Sequence, residues 1–91
     1  MSEVKFGVVM PWAAVRLEEA ERAEELGFDS IWTSEHIFFY GPILDAFTSL
    51  AAIAARTRRI LLGTAVTLLP LRPAAVVAKE ATSVDIISGG R

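Results

Sequence analysis

The stretch ILLGTAVTLLPLRPAAVVAKEATSVDIISGGR, residues 60–91, decides the fold that this sequence predicts. It begins with a continuous apolar run, residues 60–66, which indicates a buried strand. A loop with two prolines follows, and Pro73 suits the first turn of an amphipathic helix that Gly89 and Gly90 end. The inner face of that helix is expected to carry three apolar residues: Val77, Ala81 and Val84. A further strand is expected where the chain stops.

The same strand–helix unit occurs twice earlier in the chain. Residues 4–10 and 29–33 are short runs rich in β-branched and aromatic residues, which is typical of strands. Residues 13–26 place apolar side chains at helical spacing among charged ones, and Gly27 ends that predicted helix. A second helix is predicted for residues 45–57, with Asp45 as its N-cap.

The resulting order is βαβαβα, with a strand beginning roughly every 25 to 30 residues. Strands that are apolar on both faces and alternate with amphipathic helices predict a parallel sheet covered by helices. Such a sheet closes either as a doubly wound fold or as a (β/α)₈ barrel, and the barrel typically takes about 250 residues. The 91 residues therefore make at most one domain, and three units would be part of a barrel.

Composition excludes several classes of partner. The net charge is −2 and no basic run exists, which argues against a nucleic-acid surface. The chain has no cysteine, which suits a cytoplasmic protein, and no apolar run approaches the roughly 20 residues that span a membrane. The hydrophobic fraction of 53% is high for a short chain. The composition therefore predicts a surface that another copy, or more of the same protein, covers.

Ligands of parallel α/β folds collect at the carboxyl ends of the strands. This rule selects residues 10–12, 34–36 and 64–70. His36 is the only histidine, and an imidazole there could bond to a ring nitrogen or exchange a proton with substrate. The alternative is a loop histidine bonded to backbone. Glu35 could orient His36 or bind the edge of a cofactor, and its alternative is a solvated carboxylate.

Other sites are poorly supported by the sequence. No glycine-rich dinucleotide or phosphate loop follows the first strand, and no serine lies in a nucleophile elbow. One histidine without cysteine gives no expected metal site. Arg56, Arg58 and Arg59 are expected to cap a helix end. Asp85 and Arg91 are expected to form an ion pair or a cap at the end of the third helix.

Four segments resemble the bacterial luciferase-like flavin monooxygenase superfamily, and in wording they are most similar to its coenzyme F420-dependent branch. They are FGVVMP at 6–11, AEELGFDSIWTSEH at 23–36, the helix 45–57 running on to 60, and LGTAVTLLPLRP at 62–73 with AKEATSVDIISGGR at 78–91. Together they cover nearly the whole chain in order. The resemblance implies a TIM-barrel oxidoreductase that uses FMN or coenzyme F420 on a small organic substrate.

The resemblance also implies roles for individual residues. His36 would lie beside the cofactor ring as the catalytic group that transfers a proton. A cis non-proline peptide bond is expected at Ala65–Val66, or one residue to either side. The residues that the resemblance places at the cofactor are Met10, Pro11, Glu35, His36, Thr64, Ala65 and Val66.

The chain also departs from the family pattern. The family loop has one more residue where this chain reads Arg72-Pro73, so no role is assigned to Arg72. Because the chain stops before a fourth strand, residues 1–91 are expected to be a single incomplete domain, the N-terminal part of the barrel, and inactive alone. The alternative is a non-enzymatic α/β module that self-associates through its free sheet edge. A flavodoxin-like domain is less favoured because no phosphate loop follows the first strand.

Overall fold

The computed structural model of the protein describes residues 3–10, 16–37, 41 and 43–91. In these residues strands and helices alternate, as the sequence predicts. The strands are β1 (Gly7–Val9), β2 (Ser30–Thr33) and β3 (Leu61–Thr64). The α-helices are α1 (Leu17–Glu25), α2 (Ala46–Arg56) and α3 (Ala74–Ser88), and a 3-10 turn (Leu69–Leu71) precedes α3. The part of the predicted first helix at residues 13–15 lies outside the described residues.

The strands form one sheet in the order β1-β2-β3, and both pairs are parallel, which confirms the predicted parallel sheet. The ladder continues past the carboxyl ends, because Met10 N donates to Trp32 O (2.9 Å) and Ala65 N donates to Thr33 O (2.7 Å). β3 is nevertheless shorter than the predicted 60–66. After Ala65, the next backbone amide with a described hydrogen bond is that of Leu68, which donates to the Glu35 carboxylate rather than to a neighbouring strand.

The helices cover one face of this sheet. On that face Ile31 is fully buried in a core cluster, while Val9, Trp32 and Leu61 on the opposite face are exposed. The strands that were predicted to be buried are therefore covered on one face only in the described residues. A doubly wound fold has helices on both faces, so sequential strands with helices on one face match the winding of a (β/α)₈ barrel. The buried core cluster consists of Met10, Ala20, Ala23, Ile31, Ile53 and Ile60.

The indole of Trp32 lies across the open face between two glycines. A Cβ on Gly7 would lie 2.7 Å from Trp32 Nε1, and a Cβ on Gly63 would lie 2.5 Å from Trp32 Cζ3. Neither distance leaves room for a side chain. Trp32 Nε1 also donates to Ser30 Oγ at 2.9 Å. Glycine on both neighbouring strands therefore allows the indole to lie close to the sheet.

Helix α2 is capped at both ends. Asp45 is its N-cap, as predicted, and its carboxylate accepts from Thr48 N at 2.8 Å. At the other end Arg91 Nη2 donates to Ala54 O (3.0 Å) and Thr57 O (2.9 Å). A guanidinium at a helix C-terminus satisfies the last carbonyls and opposes the helix dipole. Of the two roles expected for Arg91, the structure shows the cap, although the helix that it caps is α2.

The end of α1 is joined to the start of β3 through Glu24 and Arg59. The Glu24 carboxylate accepts from the backbone amides of Arg58, Arg59 and Ile60, at 2.6–3.1 Å. Burial raises the pKa of Glu24, but these three amide donors outweigh it and the pKa is lowered. Arg59 Nη2 donates in return to Glu24 O at 2.9 Å. The expectation that an arginine of this cluster caps a helix end is confirmed for Arg59.

Helix α3 ends at Gly89, whose φ is 70°, and Gly90 N donates to Asp85 O at 2.8 Å. This is the predicted glycine stop, because glycine adopts a positive φ without a Cβ clash. Of the predicted inner face, Val84 is buried, Val77 is half-buried and Ala81 is exposed. Among the described residues, no helix has the length and apolarity needed to cross a membrane.

Candidate functional site

Two connections meet where the parallel strands end. We call residues 10, 34–36 and 64–68 the carboxyl edge. Thr33 of β2 is in register with Thr64 of β3, so the segments that follow these strands start side by side. Pro11, a predicted cofactor contact, lies outside the described residues.

His36 is exposed at the carboxyl edge, immediately after the buried Glu35. Successive side chains of an extended segment point to opposite sides, which agrees with this change from buried to exposed. The imidazole is therefore accessible to a ligand that approaches the strand ends.

Glu35 is only 4% exposed, so the alternative of a solvated carboxylate is wrong. Its oxygens accept from Ala46 N at the start of α2 (3.0 Å) and from Leu68 N in the connection from β3 to α3 (2.7 Å). The carboxylate thereby links the end of β2 to two other segments. Its side chain is turned into the protein rather than towards the surface on which His36 lies.

Arg72 is the main partner of Glu35, a contact that no pattern in the sequence predicts. Arg72 Nη1 donates to Glu35 Oε1 (2.6 Å) and Nη2 donates to Glu35 Oε2 (2.9 Å), a bidentate ion pair. The Arg72 side chain is 19% exposed. It also forms an ion pair with Asp45 and lies 3.8 Å from a carboxylate oxygen of Glu80. One guanidinium is therefore shared among three carboxylates from different elements.

This network fixes the charge of Glu35. The hydrogen bonds from Arg72 lower the pKa of Glu35 and outweigh burial, which raises it, and the amides of Ala46 and Leu68 lower it further. The result is a pKa of about 2. The pKa of Arg72 is raised, chiefly by its hydrogen bonds to Glu35. Glu35 is consequently an anion at neutral pH, held by Arg72 and by two backbone amides.

The remaining predicted cofactor contacts differ in accessibility. Met10 is 3% exposed and its side chain belongs to the core cluster. Thr64 is half-buried, whereas Ala65 is exposed and Val66 is 61% exposed. The Ala65–Val66 peptide bond is cis, which confirms the position expected from the resemblance. The carboxyl edge therefore presents His36, Ala65 and Val66 at its surface.

These surface groups fit the ring of a flavin or deazaflavin better than its phosphate. Ala65 and Val66 give a small apolar surface that a planar ring can contact, and His36 gives a polar group beside it. The residues of the carboxyl edge include no lysine or arginine. The nearby Arg72 is already paired with Glu35 and Asp45. The chemistry of the described residues at the carboxyl edge therefore suits a planar ring better than a phosphate.

Known proteins resemble most of the chain. A family model described as luciferase-like monooxygenase matches residues 10–91. The 4-hydroxyprotoasukamycin monooxygenase of Streptomyces nodosus subsp. asukaensis is 40% identical over 76 residues, which is 82% of this chain and 20% of that protein. The F420-dependent glucose-6-phosphate dehydrogenase of Amycolatopsis mediterranei (strain U-32) is 36% identical over 80 residues, 82% of this chain and 24% of that protein.

A solved structure has the same fold over this length. The monooxygenase RslO1 from Streptomyces bottropensis superposes with a TM-score of 0.83 at 35% sequence identity. The match covers 97% of this chain and 31% of that one. The chain thus spans about a fifth of the length of the curated relatives described above.

Proposed function

The chain belongs to the luciferase-like monooxygenase family, and on that basis we propose that it forms the cofactor-facing part of an oxidoreductase that uses FMN or coenzyme F420. The observation that carries the proposal is the exposed His36 at the same strand ends as the exposed Ala65 and Val66. An ionisable group beside a small apolar surface suits a ring that is both stacked and protonated during reaction.

Each residue at this surface has a distinct proposed role. Ala65 and Val66 contact one side of the ring and exclude water from it. His36 donates or accepts a proton at an imidazole nitrogen. A reduced flavin or deazaflavin supplies the electrons or hydride when it is bound. The protein's part is orientation and proton handling.

The remaining predicted cofactor contacts are also proposed, but they differ in which atoms can reach the ring. The side chains of Met10 and Glu35 are buried, so we expect any contact that these residues make to use their main chain. Thr64 is half-buried and is proposed as a contact at the margin of the ring. Pro11 stays a proposed contact from the resemblance alone. The substrate is proposed as a small organic molecule, a class that includes the compounds named in the two curated relatives.

Self-association stays a second proposal, because the face of the sheet opposite the helices is open. Val9, Trp32 and Leu61 are exposed there and form an apolar surface. Monomeric proteins rarely leave a large apolar patch uncovered. We propose that a second copy of the chain covers this surface. Light scattering on the sample used for ligand binding measures the mass of the assembly in solution.

Equilibrium dialysis of the 91-residue chain against FMN and, separately, coenzyme F420 tests the cofactor proposal. We expect saturable binding of at least one of them, with a Kd of about 1 mM or tighter, equivalent to at least about 4 kcal/mol. Val66→Asp should abolish this binding because it places a charge where the apolar ring contact is proposed. Ile86→Asp is the matched control, since Ile86 is an exposed apolar residue on α3.

Two results would contradict the proposal. One is a chain that is folded by circular dichroism and binds neither compound. The other is equal binding by the Val66→Asp and Ile86→Asp variants, which would place the ligand away from the carboxyl edge.

A further inference from the structure

The exposed segment of the carboxyl edge is held at two points. Ala65 N donates to Thr33 O at 2.7 Å, and Leu68 N donates to Glu35 Oε1 at 2.7 Å. Val66, with its exposed side chain, lies between these anchors. The first anchor belongs to the sheet. The second is a side chain, so the placement of Val66 depends on where the Glu35 carboxylate is held.

Arg72 determines that position. Its guanidinium bonds both oxygens of Glu35, and a planar fork fixes the rotation of a carboxylate as well as its distance. Arg72 Nη2 also contacts the carboxylate of Asp45, which is itself fixed as the N-cap of α2. The orientation of Glu35 is therefore set from α2 through Arg72. A lysine would keep the charge at residue 72 but could not form the bidentate contact.

The same carboxylate is joined through the main chain to His36. Glu35 also accepts from Ala46 N at 3.0 Å, so its carboxylate is bonded to the start of α2 as well. His36 follows directly on this anchored residue. The partly buried Glu35–Arg72 ion pair therefore adjoins both parts of the surface, His36 through the main chain and residues 65–68 through the Leu68 amide.

We propose that Arg72, acting through Glu35, is a positioning residue that sets the placement of residues 65–68 relative to His36. The importance of this placement for ligand binding rests on the proposed function. The positioning itself is a property of the chain and can be measured without a cofactor.

Amide hydrogen exchange on the chain with Arg72→Lys tests the positioning. We expect the Leu68 amide to exchange about tenfold faster than in the wild type, because its acceptor is no longer held in one orientation. The amides of Ala20 and Ala23 in α1 should keep their protection. A loss confined to residues 65–68 distinguishes positioning from a general loss of stability, which would accelerate exchange in all elements together.

Arg22→Lys is the matched control, because Arg22 pairs with Glu25 on the exposed face of α1. It should leave the Leu68 amide unchanged. A wild-type exchange rate for Leu68 in the Arg72→Lys chain would overturn the proposal. Equal acceleration of Leu68, Ala20 and Ala23 would overturn it as well.

Asp45→Asn keeps the proposal testable if Arg72→Lys does not fold. Asparagine still caps α2, but the substitution removes the negative charge of Asp45 that pairs with Arg72. A smaller local acceleration at Leu68, about threefold, is expected. No change at Leu68 in this variant would count against the proposal.

Cofactor dialysis of the same variants separates this inference from the proposed function. If the wild type binds FMN or F420, Arg72→Lys should weaken that binding about tenfold, whereas Arg22→Lys should not. Undiminished binding by Arg72→Lys would overturn the positioning role. If the wild type binds neither compound, the proposed function fails, and the exchange at Leu68 alone decides whether Arg72 positions the segment.

Discussion

Replacing His36 by Ala in the proposed oxidoreductase should lower turnover by about 10²–10⁴-fold while cofactor affinity changes by less than about threefold. The reason is that His36 is an exposed imidazole at the strand ends, beside the surface proposed to contact the ring. Loss of a proton-transfer group affects the reacting state much more than the bound ground state. The ring contacts proposed for Ala65 and Val66 remain in this variant.

Stopped-flow turnover and equilibrium binding of the cofactor, measured on the same variant, provide the comparison. Ile37→Ala is the matched control, because Ile37 is the next residue and is also exposed. It should leave turnover near the wild-type rate. Unchanged turnover in His36→Ala would show that the imidazole does not take part in the reaction. A parallel loss of turnover and affinity would make His36 a binding group.

The stability of the chain should fall as pH is lowered from about 4.5 towards 2. Glu35 has a folded-state pKa of about 2 against an ordinary value of 4.5, because Arg72 and backbone amides stabilise its anion. A carboxyl group with a lowered pKa contributes stability that is complete above the unfolded pKa and is lost as pH falls through the folded one. The difference corresponds to about 3 kcal/mol of unfolding free energy at neutral pH.

Urea unfolding followed by circular dichroism, from neutral pH down to about pH 2, measures this loss. Glu35→Gln should be less stable at neutral pH by about 2–3 kcal/mol and should show a shallower dependence on pH. Glu24 also has a lowered pKa, so the relevant quantity is the difference between wild type and variant. Glu25→Gln, an exposed carboxylate on α1, is the control and should keep the wild-type profile. Identical pH profiles for wild type and Glu35→Gln would contradict the ion-pair account.

The parts of the fold that depend on local chemistry could be predicted from sequence. Asp45 caps α2 and Gly89 ends α3 as predicted, because capping and positive φ depend on neighbouring residues only. The parallel direction of the strands could also be predicted, from the alternation of apolar runs and amphipathic helices. The covered faces could not be predicted in the same way. An apolar residue such as Leu61 has the same identity in the sequence whether helices cover its face of the sheet or leave that face open.

The candidate site could also be predicted in part from the sequence. The rule on strand ends selected His36 and Glu35, and the family resemblance, rather than any periodicity, located the cis bond at Ala65–Val66. Arg72 was missed because its partner Glu35 is 37 residues away, and their contact arises only when the connections after β2 and β3 meet. The burial of Glu35 was missed with it, since a carboxylate is normally exposed unless it has such a partner.

The most direct test of the cofactor-facing role is an amide NMR titration of the chain with FMN and with F420. The account predicts saturable shifts concentrated at His36, Ala65 and Val66, with little change in α1. Shifts concentrated instead in the groove between α2 and α3, which is lined by Phe47, Thr48 and Lys79 among others, would contradict it. A folded chain whose spectrum does not change at all would contradict it equally.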